Sequence, residues 1–335
     1  MKLLCFIQIF LWLNFWPGEE HPGVRNGHRM IFHERIGKVF LFGGANEREV
    51  LGDLWMLNQN HWEKITSDGP SPRTFPAMTY DPDQNRIIIF GGNKVLFGAS
   101  KDSSAFLNDT WEWKDYKWNK IQVSQQPSPR AEASIEYDKE RKRCVLYGGY
   151  RFDKNNQTVR LYDTWVFENN KWRKLTEKGT FSSNGTTMVY HEHDKIIYMY
   201  GGNIPRDLDP KQIFSTWKFE NNEWKGIDVN TPYFFNSLMS YDSNLEFIVR
   251  FGGWNGKERN NQTWIFNKSW VQLNVVLSPP ARNHHAMVYD KKNKRHVLFG
   301  GHNGDHVFGD TWIFRDNHWS CAIPYQKILR VENNH

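Results

Sequence analysis

The chain has 335 residues, which is enough for one large or two ordinary domains. Apolar residues make up 39% of it, too few for a bundle of membrane helices, whereas aromatic residues make up 16% and must supply much of the core. The 43 basic and 37 acidic residues leave a net charge of +6. This charge suits an acidic partner but is not typical of a nucleic-acid-binding protein, so we expect no nucleic acid partner.

An apolar lead occupies residues 1–18, with Lys2 at its start, a hydrophobic stretch to Trp16 and a Pro-Gly pair at its end. Such a segment is typical of a secretory signal, although no small-x-small cleavage site is present. It is too short to span a bilayer as a helix, so we predict no transmembrane span. Two interpretations stay open: a signal or anchor of a secreted or extracytoplasmic protein, and a packed tail of a cytoplasmic one.

Sequons and cysteines add little to the choice of compartment. Five N-x-Ser/Thr sequons would suit a secreted glycoprotein, although several are expected by chance in a chain rich in Asn. They begin at Asn108, Asn156, Asn184, Asn261 and Asn267. The cysteines, Cys5, Cys144 and Cys321, match neither a disulfide framework nor a zinc site.

A unit recurs six times along the chain, at a period typical of propeller blades. Each unit has four predicted strands: a, which ends in an aromatic residue; b, an apolar run that ends in two glycines; c, which carries a Trp; and d, which carries a second Trp. The glycine pairs are Gly43-Gly44, Gly91-Gly92, Gly148-Gly149, Gly201-Gly202, Gly252-Gly253 and Gly300-Gly301. The strand c tryptophans are Trp55, Trp111, Trp165, Trp217, Trp264 and Trp312. The strand d tryptophans are Trp62, Trp118, Trp172, Trp224, Trp270 and Trp319.

This pattern resembles the kelch motif, as found in the central domain of galactose oxidase, and the resemblance covers residues 25–325. It implies an all-β fold, a six-bladed kelch-type β-propeller with four antiparallel strands per blade. The predicted blades are 25–66, 73–122, 130–176, 184–227, 236–274 and 282–323, followed by a C-terminal tail, 326–335. Six complete blades can close without a shared strand. The segments IQIFLWLNFW and KILRV are alternative closing strands, since kelch propellers often complete one blade from both termini.

Physical reasons support the repeat at each position. Paired glycines permit the positive φ of a tight turn. Aromatic side chains fill the wedges between neighbouring sheets. Four blades carry an Asp two residues before the strand c Trp, where it is expected to bind loop amides: Asp53, Asp109, Asp163 and Asp310. Blades four and five carry Ser215 and Gln262 instead, which predicts looser turns there.

The connections from d to a and the loops from b to c are expected on one face, because the strands of a blade alternate in direction. Arginines precede strand a in four blades: Arg25, Arg73, Arg130 and Arg282. At this point blades four and five carry Asn184 and Asn236. Four arginines around a channel mouth would attract carboxylates or phosphates. The alternative is a structural role, in which their donors bind loop carbonyls.

The loops from b to c vary in length and are where function usually lies on a rigid scaffold. Blades one, five and six have 8 residues between the second glycine and the position two before the Trp, whereas blades two, three and four have 16, 13 and 12. One side of the face should therefore be raised. The candidate ligand contacts in these loops are Asn46, Asn93, Arg151, Asn203, Arg206, Trp254, Asn255 and Asn303. Trp254 falls outside the repeat, so it is either an exposed anchor or packed on a neighbouring blade.

Other clusters give no firm chemistry. Blade six carries four histidines, with His28 on blade one beside them, but the geometry of a metal site is demanding, and we predict neither metal nor cofactor. The four are His284, His285, His302 and His306. Basic turns at 139–143 and 291–296 are interpreted as solvated. Nothing matches the copper and cysteine-crosslinked tyrosine of galactose oxidase.

No paired acid and base marks a catalytic site, so we expect a monomeric binding scaffold and not an enzyme. It would dock a protein or peptide, an acidic one given the arginines, on the face of the d-to-a and b-to-c loops. The alternative is an extracytoplasmic glycan-binding or sugar-modifying protein, similar to the sialic-acid epimerases that share the propeller.

Overall fold

The computed structural model describes residues 21–177, 179–180, 182–204, 215–227 and 231–324. These residues form six four-stranded antiparallel sheets, one two-stranded hairpin and a 3-10 turn at Ser103–Ala105. No helix in this part of the chain is long and apolar enough to cross a membrane. The predicted six-bladed β-propeller is therefore confirmed. The lead 1–18, the tail 326–335 and both proposed closing segments lie outside the described residues.

Each of the first three blades takes its four sheet strands from one continuous stretch of chain. Blade one consists of β1 (Arg29–His33), β2 (Lys38–Phe42), β3 (Leu54–Asn58) and β4 (His61–Thr66). Blade two consists of β5 (Ala77–Asp81), β6 (Arg86–Asn93), β7 (Phe106–Lys114) and β8 (Lys117–Ile121). Blade three consists of β9 (Ser134–Asp138), β10 (Arg143–Tyr147), the additional hairpin β11 (Tyr150–Phe152) and β12 (Thr158–Arg160), then β13 (Thr164–Glu168) and β14 (Lys171–Thr176).

The last three blades repeat this order. Blade four consists of β15 (Thr186–His191), β16 (Ile196–Gly201), β17 (Thr216–Glu220) and β18 (Glu223–Ile227). Blade five consists of β19 (Leu238–Asp242), β20 (Phe247–Phe251), β21 (Thr263–Asn267) and β22 (Ser269–Leu273). Blade six consists of β23 (Ala286–Asp290), β24 (Arg295–Phe299), β25 (Thr311–Arg315) and β26 (His318–Ile323).

Burial distinguishes the inner strands from the outer ones. Strand b of blade three, RCVLY, is buried at every residue because neighbouring sheets cover both of its faces. The outer strand of the same blade, KWRKLT, buries Trp172 and exposes Lys171 and Arg173. Charged residues on an outer edge oppose pairing with another chain.

The ring closes through contacts between its innermost strands. Strand a of each blade packs against strand a of the next, and β23 of blade six packs against β1 of blade one. Across this last seam the Trp62 indole donates a hydrogen bond to the Thr311 hydroxyl at 3.0 Å. The same bond joins blades two and three, three and four, four and five, and five and six, and its donors are Trp172, Trp224, Trp270 and Trp319. At the remaining seam Leu54 occupies the Thr position, and the indole N–H of Trp118 has no acceptor.

The glycine pairs act where a neighbouring blade passes close to the backbone. Gly43 and Gly44 have φ of +69° and +93°, and the Gly44 N–H donates to the carbonyl of Arg73 at 3.0 Å. A Cβ on Gly43 would come within 2.8 Å of that carbonyl. The pair thus provides both the turn and the room for the connection into the next blade.

Candidate functional site

The two sets of loops lie on one face, which we call the loop face. Short β-bridges join a residue of the d-to-a connection to a residue just after the glycine pair of the same blade. The pairs are Asn26–Ala45, Thr74–Asn93, Ala131–Tyr150, Phe235–Trp254 and Asn283–His302. The backbone of this face is therefore fixed, and what varies is the side chains and the excursions beyond the bridges.

The four predicted arginines are buried beneath the loop face, each held by a carboxylate. Arg130 is 1% exposed and binds both oxygens of Asp163, at 2.6 and 3.0 Å. Its remaining donors bind the Gly148 carbonyl and both the carbonyl and hydroxyl of Ser128. All five guanidinium hydrogens are thereby committed. We call this arrangement the Arg–Asp clamp.

The clamp recurs in blades one, two and six. Its partners there are Arg25 with Asp53, Arg73 with Asp109, and Arg282 with Asp310. Each aspartate also accepts the indole N–H of the strand c Trp at 2.7 Å. Asp53 and Asp163 accept a backbone amide as well, which is the role that we expected. In Asp163, burial alone would raise the pKa, but the hydrogen bond and charge of Arg130 hold the pKa below its ordinary value. This geometry favours a structural role for the arginines over contact with a ligand.

In blades four and five, the residues at the arginine position are not the ones that we predicted from the sequence. In the four clamped blades, the carbonyl of the arginine accepts an N–H from the glycine pair of the preceding blade. In blade four the carbonyl in this position belongs to Ser183, and in blade five the carbonyl beside Gly201 belongs to Phe234. Ser183 and Phe234, and not Asn184 and Asn236, therefore occupy the arginine position. Loops of unequal length had obscured this alignment.

A ring of six residues surrounds the propeller axis below the loop face, and five backbone hydrogen bonds join them. Its members stand two residues after the arginine position of each blade: Gly27, Phe75, Glu132, Gly185, Asn236 and His284. Phe75 donates to the Gly27 carbonyl at 2.6 Å, Glu132 to Phe75 at 3.2 Å, and Gly27 to His284 at 3.0 Å. All six have positive φ. The ring forms a floor, which we call the axial floor.

Above the axial floor lies a pocket of about 410 Å³, the loop-face pocket. Phe75, Glu132, Asn236 and His284 belong to its base. The long excursions of blades two and three make one wall, with Phe97, Tyr150, Phe152 and Arg160. Blades five and six make another, with Phe235, Trp254, Arg259 and His302. Two of the three long loops that were predicted to raise one side of the face thus line the pocket, and most of the third, in blade four, lies outside the described residues.

The base of the pocket combines aromatic rings with a buried carboxylate. The ring of Phe97, which is 63% exposed, contacts the rings of Phe75 and His284 at centroid distances of 5.9 and 5.8 Å. Glu132 is 3% exposed and accepts a hydrogen bond from the Asn184 amide at 2.7 Å. Burial raises the pKa of Glu132. Glu132 thus places a hydrogen-bonded carboxyl group beside the aromatic rings at the base of the pocket.

Three cations stand at the rim of the pocket: Lys101, Arg160 and Arg259. Arg259 lies over the Trp254 ring at 4.6 Å and donates to Asn283 at 2.8 Å. Lys101 and Arg160 are exposed and make no ion pair with any residue that the structure describes. The pocket therefore offers apolar rings at its base and positive charge at its edge.

Three of the residues predicted from the b-to-c loops line this pocket, namely Asn93, Asn203 and Trp254. Trp254 is half-buried and packed with Arg259, so it is neither fully free nor part of a blade seam. Asn46, Asn255 and Asn303 instead cap their own loops, each accepting backbone N–H groups two and three residues on. Arg151 lies in β11 outside the pocket lining, and Arg206 lies outside the described residues.

Sequence reasoning missed most of the pocket. Phe97, Lys101 and Arg160 lie in the excursions flagged by their length, but nothing in the sequence shows which of their side chains turn inward. Glu132 and His284 occupy the same repeat position. The residue type at this position differs among the blades, and a comparison of the six blades there would have marked it as a candidate for ligand contact. Arg259 had no signal apart from its nearness to Trp254.

The basic turns on the opposite face are not simply solvated. Lys139 binds Glu34 at 2.6 Å and Glu192 at 2.8 Å, and Lys291 binds Glu192 at 2.9 Å. All four side chains occupy the position just after strand a, in blades one, three, four and six. They meet across the axis, and we call them the Lys–Glu quartet.

The blade-six histidines do not converge on a metal-like centre. His284 and His302 stack, with Nδ1 and Nε2 3.0 Å apart, and His285 lies against Phe251. Among the described residues, no three His, Cys, Asp or Glu side chains are placed to hold a metal ion. The pair contributes to the pocket wall.

Comparison with known proteins agrees with the repeat. The family model described as the KLHDC2/KLHL20/DRC7 Kelch-repeats domain matches residues 7–202 and 139–329. The chain belongs to this family of kelch-repeat β-propellers.

Individual relatives are distant. Kelch domain-containing protein 10 of Xenopus tropicalis is 22% identical over 81% of this chain and 70% of its own length. Kelch domain-containing protein 2 of Bos taurus is 27% identical over 63% of this chain, which spans 56% of that protein. Human host cell factor 1 is 29% identical over 46% of this chain, which spans 8% of that much longer protein. These matches support a kelch-propeller scaffold for protein interaction.

Proposed function

We propose that this chain binds a peptide segment of a protein partner in the loop-face pocket, and that the segment carries acidic residues. The observation that carries the proposal is the combination of exposed or half-buried aromatic rings with rim cations that lack ionic partners among the described residues. Aromatic and arginine side chains in a concave site are the usual anchors of protein recognition. The four clamped arginines take no part in it.

Charge complementarity selects the partner's chemistry. Lys101, Arg160 and Arg259 surround an opening whose buried acid, Glu132, has a raised pKa. Carboxylates of a bound segment would pair with these cations, while an apolar side chain would rest on Phe97 and Phe75. Charge pairs at a rim act mainly on the association rate and its salt dependence.

A peptide library displayed on phage, selected on the purified chain, tests the proposal. We expect the enriched sequences to place acidic residues beside an aromatic or aliphatic one. Arg160→Glu should weaken a selected peptide at least tenfold in fluorescence anisotropy, and higher salt should weaken the wild-type complex. Lys292→Glu, an exposed change on the opposite face, is the matched control and should leave binding unchanged.

Trp254→Ala tests the apolar part of the pocket separately from its charge. We expect weaker binding with the salt dependence preserved, since the rim cations remain. Equal affinity of Arg160→Glu and the wild type would contradict the proposal. Binding to a glycan array with no selectable peptide would support the carbohydrate alternative instead.

A further inference from the structure

The propeller axis contains a cavity of about 230 Å³, which we call the axial chamber. The six a strands, β1, β5, β9, β15, β19 and β23, form its walls. It shares no lining residue with the loop-face pocket, and the Lys–Glu quartet stands at one of its ends. The chamber is thus a compartment distinct from the proposed peptide site.

One wall of the chamber carries an arginine whose guanidinium has few hydrogen-bond partners within the protein. Arg29 opens strand a of blade one, where the equivalent residues of blades two and six are Ala77 and Ala286. Its guanidinium makes one hydrogen bond, to the carbonyl of His28 at 3.2 Å, and no ion pair with any described carboxylate. Arg130 shows the contrast, because its five donors are all committed.

Hydrogen-bond donors from other blades stand at the same level. Thr187, the second residue of strand a in blade four, has the same register as Arg29 and lies on the opposite blade of the ring. Its hydroxyl oxygen accepts the N–H of Met239 at 3.1 Å, which leaves the hydroxyl hydrogen free to donate. Ser134, at the same level in blade three, is already engaged with Thr186.

The charges around Arg29 do not neutralise it by contact. Burial lowers the pKa of Arg29 to about 10, with Glu132 acting in the opposite direction. Glu136, the acid in the chamber wall, has its pKa raised to about 7 by burial. Glu34 and Glu192 bind the lysines of the quartet. A half-buried cation that faces a cavity and has no carboxylate in contact favours a mobile counter-ion.

We propose that the axial chamber binds a small oxyanion, of the size of sulfate, phosphate or acetate, between the guanidinium of Arg29 and the hydroxyl of Thr187. Guanidinium donors and a hydroxyl are the groups that recognise such anions. The anion would stabilise the ring by bridging opposite blades, one and four. This site is independent of the peptide site, and neither proposal requires the other.

Crystals of the chain soaked in sodium selenate, an anomalously scattering analogue of sulfate, test the site directly. We expect a selenium peak in the chamber with oxygen atoms about 3 Å from the Arg29 guanidinium. Arg29→Ala should abolish the peak while the fold is retained, because blades two and six already carry Ala at this position. Thr187→Val should weaken the peak and leave the guanidinium in place.

Thermal unfolding gives the matching solution test. We expect the Tm of the wild type to be about 3 °C higher in sulfate than in chloride of equal ionic strength. Arg29→Ala should lose the increment, whereas Arg35→Ala, an exposed change on the opposite face, should keep it. Sulfate also stabilises proteins generally, so the difference between the two variants is the measurement. A chamber without selenium, or an increment equal in both variants, would overturn the proposal.

Discussion

Blades one, two, three and six fasten their loop-face connections with a buried Arg–Asp clamp, whereas blades four and five use neutral groups. At the connection into blade four, the hydroxyl of Tyr147 meets the Thr180 hydroxyl at 2.7 Å and donates to the Ser182 carbonyl at 2.6 Å. At the connection into blade five, the Tyr200 hydroxyl donates to the Pro232 carbonyl. Both tyrosines directly precede a glycine pair. The blade before each missing clamp therefore supplies the substitute.

Blade five also contains a cation without a carboxylate. Arg250 is fully buried among the rings of Tyr200, Phe234, Trp264 and Trp270, with its guanidinium 4.6 Å from the nearest ring centroid. Its one described hydrogen bond goes to the Ser237 hydroxyl, and its Nε and Nη2 atoms have no partner. The comparison teaches that the connections need a buried polar anchor and that an ion pair is only one way to provide it.

Acidification should have the largest effect on stability, since it acts on several groups together. Burial lowers the pKa of His28, His284 and His285 well below the ordinary value, so stability from keeping them neutral falls as the pH drops below about 6.5. Three clamp carboxylates, Asp53, Asp109 and Asp163, have lowered pKa values, and their contribution is lost below about pH 4. Glu136 acts in the opposite direction near pH 7.

Urea unfolding monitored by tryptophan fluorescence from pH 8 to pH 3 should therefore show a decline with two steps. A flat profile between pH 6.5 and pH 3 would contradict the clamp interpretation as well as the neutral state of the histidines.

Breaking one clamp should lower the free energy of unfolding more than the corresponding change in blade five does. Asp163→Ala leaves Arg130 as an uncompensated buried charge and should lower the free energy of unfolding by about 3–5 kcal/mol. Gln262→Ala removes the neutral hydrogen bond to the Trp264 indole, 3.1 Å long, and should cost about 1 kcal/mol. Equal losses in urea unfolding would mean that the ion pair has no special role.

Replacing Arg250, the buried cation of blade five that has no carboxylate partner, should stabilise the protein. Arg250→Leu puts in blade five the residue that blades one, three and six carry there, as Leu41, Leu146 and Leu298. We expect the free energy of unfolding to rise by about 2 kcal/mol, because two unsatisfied donors are removed. A decrease would show that attraction to the surrounding rings outweighs desolvation of the guanidinium.

Tyr147→Phe should produce the smallest of these effects. The change removes the hydroxyl that anchors the connection into blade four and should cost about 1 kcal/mol in urea unfolding. Phe42→Tyr, at the same repeat position before a connection that keeps its clamp, is the reciprocal control. Phe42→Tyr should not raise the free energy of unfolding. If Tyr147→Phe lowers it by no more than the experimental scatter, the Tyr147 hydroxyl does not act as a substitute anchor.

Much of the fold was predictable because it repeats. Six glycine pairs and twelve tryptophans set the blade count, the strand order and the face that carries the loops, and none of these depends on long-range detail. The arginine role was left open between structure and ligand contact. Only the placement of Asp163 against Arg130 favoured the structural alternative, since both residue types are equally suited to a ligand.

The candidate site was less predictable. Asn93, Asn203 and Trp254 directly follow glycine pairs and line the pocket, whereas Asn46 stands one residue further on and caps its own loop. Asn93 serves both roles, because its side chain also accepts the N–H of Val95 at 3.0 Å, and the residue type alone does not show which role applies.

The sequence by itself determined the architecture, because local strand patterns, turn glycines and aromatic wedges act within one unit and recur six times. Tertiary structure alone decided which side chains meet across units: Trp62 with Thr311, Lys139 with Glu192, and Glu132 with Asn184. Each of these pairs joins different blades. Their proximity follows from closure of the ring, which brings together residues that no local pattern relates.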